Sequence, residues 1–205
     1  MEKHFAWFGL KGALVLTMLL SASALVSAAA VPSTARWLCF AAMLMSSVGD
    51  IFLMHFNAIE RNIPNYFLFG AAFFMLAHLL YTACFSVKIR ASGAAYFNGG
   101  AVIALIIAAA CLVYFLSVCQ NKSQLPLALV YLAIITLNCM TVFSYAWSSG
   151  IGKPLALVAA VGALSFLASD LIIGFGLLAN IHRYDWLIWW LYPIGQALLI
   201  AGVGR

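Results

Sequence analysis

Residues 95–118 read AYFNGGAVIALIIAAACLVYFLSV, a stretch without a single charged side chain. A helix that crosses a bilayer needs about 20 predominantly apolar residues, so this segment reads as a membrane span. It is too long and too unalternating for a barrel strand. In lipid only helices and closed barrels satisfy the backbone, so a helix is the remaining choice. The same pattern recurs at about 8–29, 37–56, 65–87, 125–146, 154–178 and 185–203, making seven spans. The connectors hold the charge and the helix breakers: Arg36 with Pro32, Glu60-Arg61 with Pro64, Lys88 with Arg90, Lys122, Lys153 with Pro154, and His182-Arg183 with Asp185.

Composition agrees. Of 205 residues, 66% are apolar and 7% charged, against about 45–50% and 25% in soluble domains. A soluble globule and a disordered chain are both excluded. Five cysteines (Cys39, Cys84, Cys111, Cys119, Cys139) lie inside apolar runs, and an odd number does not pair off, which excludes a disulfide-stapled secreted module. The expected fold is an all-α polytopic membrane bundle, one integral membrane domain over residues 1–205. The first run resembles a cleaved leader, with Met1-Glu2-Lys3-His4 ahead of it and Ser27-Ala28-Ala29-Ala30 at its end. Lys11 interrupts its core and its length suffices to span, so it is read as a span. On the side holding the N-terminus lie Lys3, Lys11, Arg61, Lys122 and Arg183; opposite lie Arg36, Lys88, Arg90, Lys153 and Arg205. Five against five leaves the orientation open. The net charge of +5 suits an anionic lipid surface. No basic cluster exceeds two residues, so no nucleic-acid partner is expected.

Only two of the five acids sit within spans, Asp50 and Asp170. A carboxylate in hydrocarbon costs on the order of 2.5–3.5 kcal/mol on insertion scales, and such a residue usually faces the bundle interior. An interhelical hydrogen bond that merely holds helices together is the plain alternative to a functional role. Spans two and six run in the same direction. At 1.5 Å per residue both acids then lie about 10 Å below the face that holds the N-terminus. Small residues surround them, Ser46-Ser47-Val48-Gly49 before one and Ala168-Ser169 before the other, allowing close helix approach and supplying hydroxyl donors. A faint duplication sets spans two and three beside spans six and seven. Other polar residues align by helical spacing: His78 and Tyr81 in span three; Trp189, Tyr192, Gln196 and Leu199 in span seven. Asn138 lies midway along span five. No metal is expected, because zinc takes three or four ligands and no second histidine lies deep in a span. Retinal is not expected either, as span seven has no lysine, and no other cofactor is implied.

Val48-Gly49-Asp50-Ile51-Phe52-Leu53-Met54, then Phe69-Gly70-Ala71-Ala72-Phe73-Phe74 running into Ala77-His78-Leu79-Leu80-Tyr81-Thr82, resembles the signature of the YhhN-like membrane proteins, the lysoplasmalogenases. Gly162-Ala163-Leu164-Ser165-Phe166 with Ser169-Asp170 is similar to the second signature, and Tyr192-Pro193-Ile194-Gly195-Gln196 to the last. The family usually has eight spans and a Lys-Pro near the start of its second. Here seven are expected, with Lys11-Gly12 in that place and the leading helix missing. The resemblance implies hydrolysis of the vinyl ether bond of a lysoplasmalogen to a fatty aldehyde and a glycerophospho-ethanolamine or -choline.

That chemistry needs a proton on the vinyl β-carbon, capture of an oxocarbenium ion by water, and a negative field beside the cation. Glycosidases meet a related demand with two carboxyl groups. Asp50 and Asp170 would divide the same work, one protonated as general acid and the other ionised to direct water. His78, Tyr81, Asn138, Tyr192 and Gln196 are the candidates to hold water or the glycerol oxygens. Lys11 would meet the phosphate, or simply snorkel to the interface. The expected partners are a lysophospholipid substrate and membrane lipid, and the oligomeric state is not readable. The expected location is a bacterial inner membrane, with the endoplasmic reticulum as alternative. The competing functions are a seven-span small-solute or proton-coupled transporter and a structural subunit without chemistry.

Overall fold

The computed structural model describes residues 2–53, 57–149 and 153–204, with side chains for all of these except 2–11, 13, 57, 58 and 60. Seven long helices occupy them: α1 (Glu2–Ala30), α2 (Thr34–Leu53), α4 (Tyr66–Ser92), α5 (Gly99–Val118), α6 (Leu125–Ser149), α7 (Pro154–Ala179) and α8 (Asp185–Val203). A short helix, α3 (Asn57–Asn62), lies between α2 and α4 where a plain connector was expected. No strand occurs among the described residues. Among the described residues, six of the long helices are long and apolar enough to cross a membrane, and Leu14–Ala30 of α1 is an apolar stretch. The chain is an integral membrane protein with an all-α bundle fold.

Helix ends follow local chemistry. Gly93 (φ 67°) stops α4 in the left-handed region, which costs glycine nothing. Asn98 starts α5, its side chain accepting from the N–H groups of Gly100 and Ala101. Pro154 occupies the first turn of α7, where no N–H is needed. Asn180 (φ 55°) ends α7. α4 outruns its expected end at residue 87 because its basic residues find partners: Lys88 lies 6.0 Å from the Tyr145 ring centroid, and Arg90 Nε donates to Tyr96 Oη at 3.0 Å.

The closest helix pairs are α2 with α4 and α7 with α8, and both cross on glycines. A Cβ on Gly49 would stand 3.2 Å from the Gly70 carbonyl oxygen, and one on Gly70 3.4 Å from that of Gly49. Gly162 and Gly195 are reciprocal in the same way, at 2.9 and 3.0 Å. Small residues at a crossing bring backbones together where lipid supplies no hydrophobic drive. The two crossings differ in register: Gly49 adjoins Asp50, whereas Gly162 stands two turns before Asp170. α5 buries Gly100, Ala101, Ala104 and Phe115, packs Ile107 and Cys111 partly against the core, and leaves Val102, Ile103, Leu105, Ile106 and Val113 exposed. Gly162→Ala is expected to lower the stability of the protein in detergent by about 1–3 kcal/mol, because the new methyl meets the Leu199 N and Gly195 O of a packed backbone. Gly12→Ala, which meets nothing within 4 Å, is the control. Equal melting midpoints for both variants would refute the crossing.

Candidate functional site

The interior of the bundle is polar where α1, α2, α4, α6, α7 and α8 meet. On α1, Thr17, Ser21, Ala24 and Ala28 form one buried stripe. Thr17 Oγ1 donates to Asp50 Oδ2 at 2.8 Å, and the Ser21 and Ser47 hydroxyls meet at 2.9 Å. From α8, Tyr192 Oη donates to the same Asp50 oxygen at 3.0 Å. One turn further along α8, Gln196 Nε2 donates to Ser46 Oγ at 3.0 Å, and its Oε1 accepts from Tyr81 Oη.

Asp170 is held in the same manner. His78 Nε2, on α4, lies 3.1 Å from Asp170 Oδ2, and Tyr131 Oη, on α6, donates to that oxygen at 3.1 Å. Asn138 Nδ2 lies 3.1 Å from His78 Nδ1. With the amide donating there, the ring nitrogen that faces Asp170 is the one bearing hydrogen. Asn138 Oδ1 is buried without a hydrogen-bond partner.

The partner scheme is reciprocal. Each acid takes one hydroxyl from the helix before its own, Thr17 of α1 or Tyr131 of α6. With α1, α2 and α4 taken as one group and α6, α7 and α8 as another, each acid takes its second donor from the last helix of the opposite group, Tyr192 of α8 or His78 of α4. Rings fill the space between: Tyr192 lies 5.3 Å from Phe166, Phe166 4.4 Å from His78, and Phe74 5.7 Å from Tyr192 by centroid.

Asp170 lines one of two neighbouring cavities. The first, about 60 Å³, is a narrow slot lined by Asp170 and Tyr131 among apolar side chains that include Leu53, Ala71, Phe115 and Leu167. The second, about 780 Å³, shares Phe67, Ile173 and Leu177 with the first, and is edged by Gln120, Asn121, Asn180, His182 and Asp185. Both lie toward the end of the bundle where α5 and α7 finish and α6 and α8 begin.

Of the residues singled out from sequence, Asp50, Asp170, His78, Tyr81, Asn138, Tyr192 and Gln196 therefore belong to one interior assembly. Of these only Asp170 lines the slot; His78 and Tyr192 bond the acids, Asn138 bonds His78, and Tyr81 and Gln196 bond each other and Ser46. Lys11 falls in α1, and its side chain lies outside the described residues. Thr17 and Tyr131 were not singled out from sequence. Tyr131 carries a weak signal, lying two turns before Asn138 on one face of α6. Thr17 carries none, since a helical threonine can bond its own backbone, and Leu14 O lies 3.1 Å from Thr17 Oγ1.

The chain matches the YhhN family over residues 8–203. It is similar to two curated proteins named lysoplasmalogenase, from Mycobacterium bovis and Mycobacterium tuberculosis. Each is 29% identical over 174 residues, which cover 82% of this chain and 60% of the relative. The chain thus spans about 60% of the length of those relatives. No solved structure matches it.

Proposed function

The chain belongs to the YhhN family, and on that premise we propose that it is a membrane-embedded hydrolase of lysoplasmalogens, working through Asp170 and Asp50. One observation carries the reading: an acid braced by an imidazole and a phenol stands at the wall of an apolar slot that shares three lining residues, Phe67, Ile173 and Leu177, with a wider vestibule edged by polar side chains. A lysolipid is apolar along its chain, reactive at its vinyl ether and polar beyond it, in that order. The names of the mycobacterial relatives point to the same substrate class.

In the proposed reaction Asp170 Oδ2 stays anchored by His78 and Tyr131, and Oδ1 carries the proton. That proton passes to the vinyl β-carbon, leaving an oxocarbenium ion. Water adds to the carbon that bears the ether oxygen and returns one proton to Asp170. The hemiacetal then collapses: its hydroxyl proton goes to the leaving glycerol oxygen, and a fatty aldehyde departs. One water is consumed, and Asp170 ends as it began. Asp50, ionised and held by Thr17 and Tyr192, supplies negative potential to the cation from behind the rings. Inside a low-dielectric bundle such a fixed charge acts at longer range than in water.

The test supplies purified protein in lipid discs with three lysolipids of one chain length: vinyl ether, saturated ether and acyl ester. Aldehyde is expected from the first alone, because only its double bond accepts a proton at carbon. Equal hydrolysis of the acyl ester would replace this reading with that of a lysophospholipase. A proton-coupled carrier is the second reading, favoured by the reciprocal three-helix partner scheme. It predicts proton-driven flux into liposomes without aldehyde. A bacterial inner membrane is the proposed location.

A further inference from the structure

The vestibule beside the slot has a chemistry of its own. Its walls are firmly tied. The N–H groups of Gln120 and Asn121 both donate to Leu178 O, at 2.8 and 3.0 Å, strapping the α5–α6 connector onto the end of α7. His182 lies over Gly176, where an added Cβ would stand 3.0 Å from its Cε1. His182 Nδ1 lies 3.0 Å from Asp185 Oδ2, and its Nε2 lies 3.2 Å from Asn180 Oδ1. The Asp185 carboxylate is thus held by the α7–α8 turn while its side chain remains 47% exposed.

Asp185 and Trp189 are four residues apart on α8 and so share one face, and both line the vestibule. Trp186 and Trp190, on other faces, are 60% and 65% exposed. A carboxylate beside an indole is a receptor for an ammonium group, one by charge and the other by its ring quadrupole. Among the described residues no lysine or arginine lines this cavity, so an anionic headgroup finds no fixed cation from them.

We propose that the vestibule binds the ammonium group of a zwitterionic lysolipid, with the Asp185 carboxylate and the Trp189 indole as its receptor. The assignment rests on the hydrolase reading for the identity of the lipid. Spacing agrees with it. At a rise of 1.5 Å per residue, Gly176 and Asn180 lie about 9 and 15 Å along α7 from Asp170. An extended glycerol, phosphodiester and aminoethyl chain covers that interval, placing the vinyl ether at Asp170 when the ammonium is at Asp185.

The experiment separates this proposal from the hydrolase reading by measuring binding apart from turnover. Saturated-ether lysolipids bearing choline, ethanolamine or glycerol headgroups are titrated onto the full chain in lipid discs. Aldehyde release is followed in parallel with the matching vinyl ethers. The wild type is expected to bind the two ammonium lipids at least about fivefold tighter than the glycerol lipid. Asp185→Asn, which keeps the shape and an acceptor, should erase that preference. Trp189→Leu should weaken choline binding about fivefold and ethanolamine binding less, because a quaternary ammonium depends more on the ring. Trp186→Leu, outside the vestibule, should leave the preference unchanged. Equal weakening of all three lipids by Asp185→Asn, or a lowered melting midpoint with the preference intact, would assign Asp185 to the start of α8 and overturn the proposal. Headgroup selectivity without aldehyde would retain the vestibule and remove the hydrolase; aldehyde without selectivity would do the reverse.

Discussion

Asp170→Asn is expected to cut aldehyde release from a vinyl-ether lysolipid by about 10³-fold, within the range that general acid catalysis contributes. The substituted amide has no proton to give at carbon. The surroundings should persist, because an asparagine oxygen turned toward His78 Nε2 and Tyr131 Oη accepts the same two donors. The bundle should therefore melt near the wild-type midpoint and bind the saturated-ether analogue with similar affinity. The loss should appear in kcat and not in KM, since the proton moves only on the way to the transition state. Retention of a tenth of the wild-type rate would remove Asp170 from the chemistry. A hydrolytic role for the slot would then need a proton donor other than the acid in its wall.

Asp50→Asn is expected to slow the reaction by about 10²-fold, a loss of the size seen when one preorganised electrostatic group is removed. Asp50 does not line the slot, so its contribution comes through space and through Tyr192, whose ring lies 5.3 Å from that of Phe166. A purely structural role predicts a different outcome: a lowered melting midpoint, weakened analogue binding and a normal kcat in whatever protein remains folded. The double variant discriminates further. If both acids serve one oxocarbenium-forming step, Asp50→Asn should add almost nothing once Asp170 is gone, since residues that act as a unit are strongly non-additive. A double variant slower than Asp170→Asn by the full 10²-fold would show the two acids acting in separate steps.

How much of this could be read along the chain depends on the kind of residue. Asp50 and Asp170 announced themselves because a carboxyl in an apolar run has few uses that do not involve the interior. His78, Asn138, Tyr192 and Gln196 were legible for a similar reason, and all are buried in one network. Their partners were not. Nothing in the spacing of residues 78 and 170 states that an imidazole and a carboxylate from distant helices lie 3.1 Å apart. His78 and Tyr81 share a face of α4 yet serve different partners, Asp170 and Gln196. Thr17 stayed hidden because a hydroxyl in a helix can be satisfied locally. The Gly162–Gly195 contact stayed hidden because a glycine in an apolar run does not declare which neighbour it faces.

Read residue by residue, the chain already declares a bundle of helices in lipid, the rough limits of each helix, and which acids have to face inward. These follow from transfer free energy and from the backbone's need to satisfy its own hydrogen bonds, and both act over a few turns of chain. Helix packing settles that of the two acids Asp170 is the one in the wall of the slot, and that the vestibule at the α7–α8 turn shares Phe67, Ile173 and Leu177 with it. Those outcomes depend on how glycine crossings set the separation and rotation of neighbouring helices. That rotation is a property of the packed pair, to which each helix brings only half of the contact.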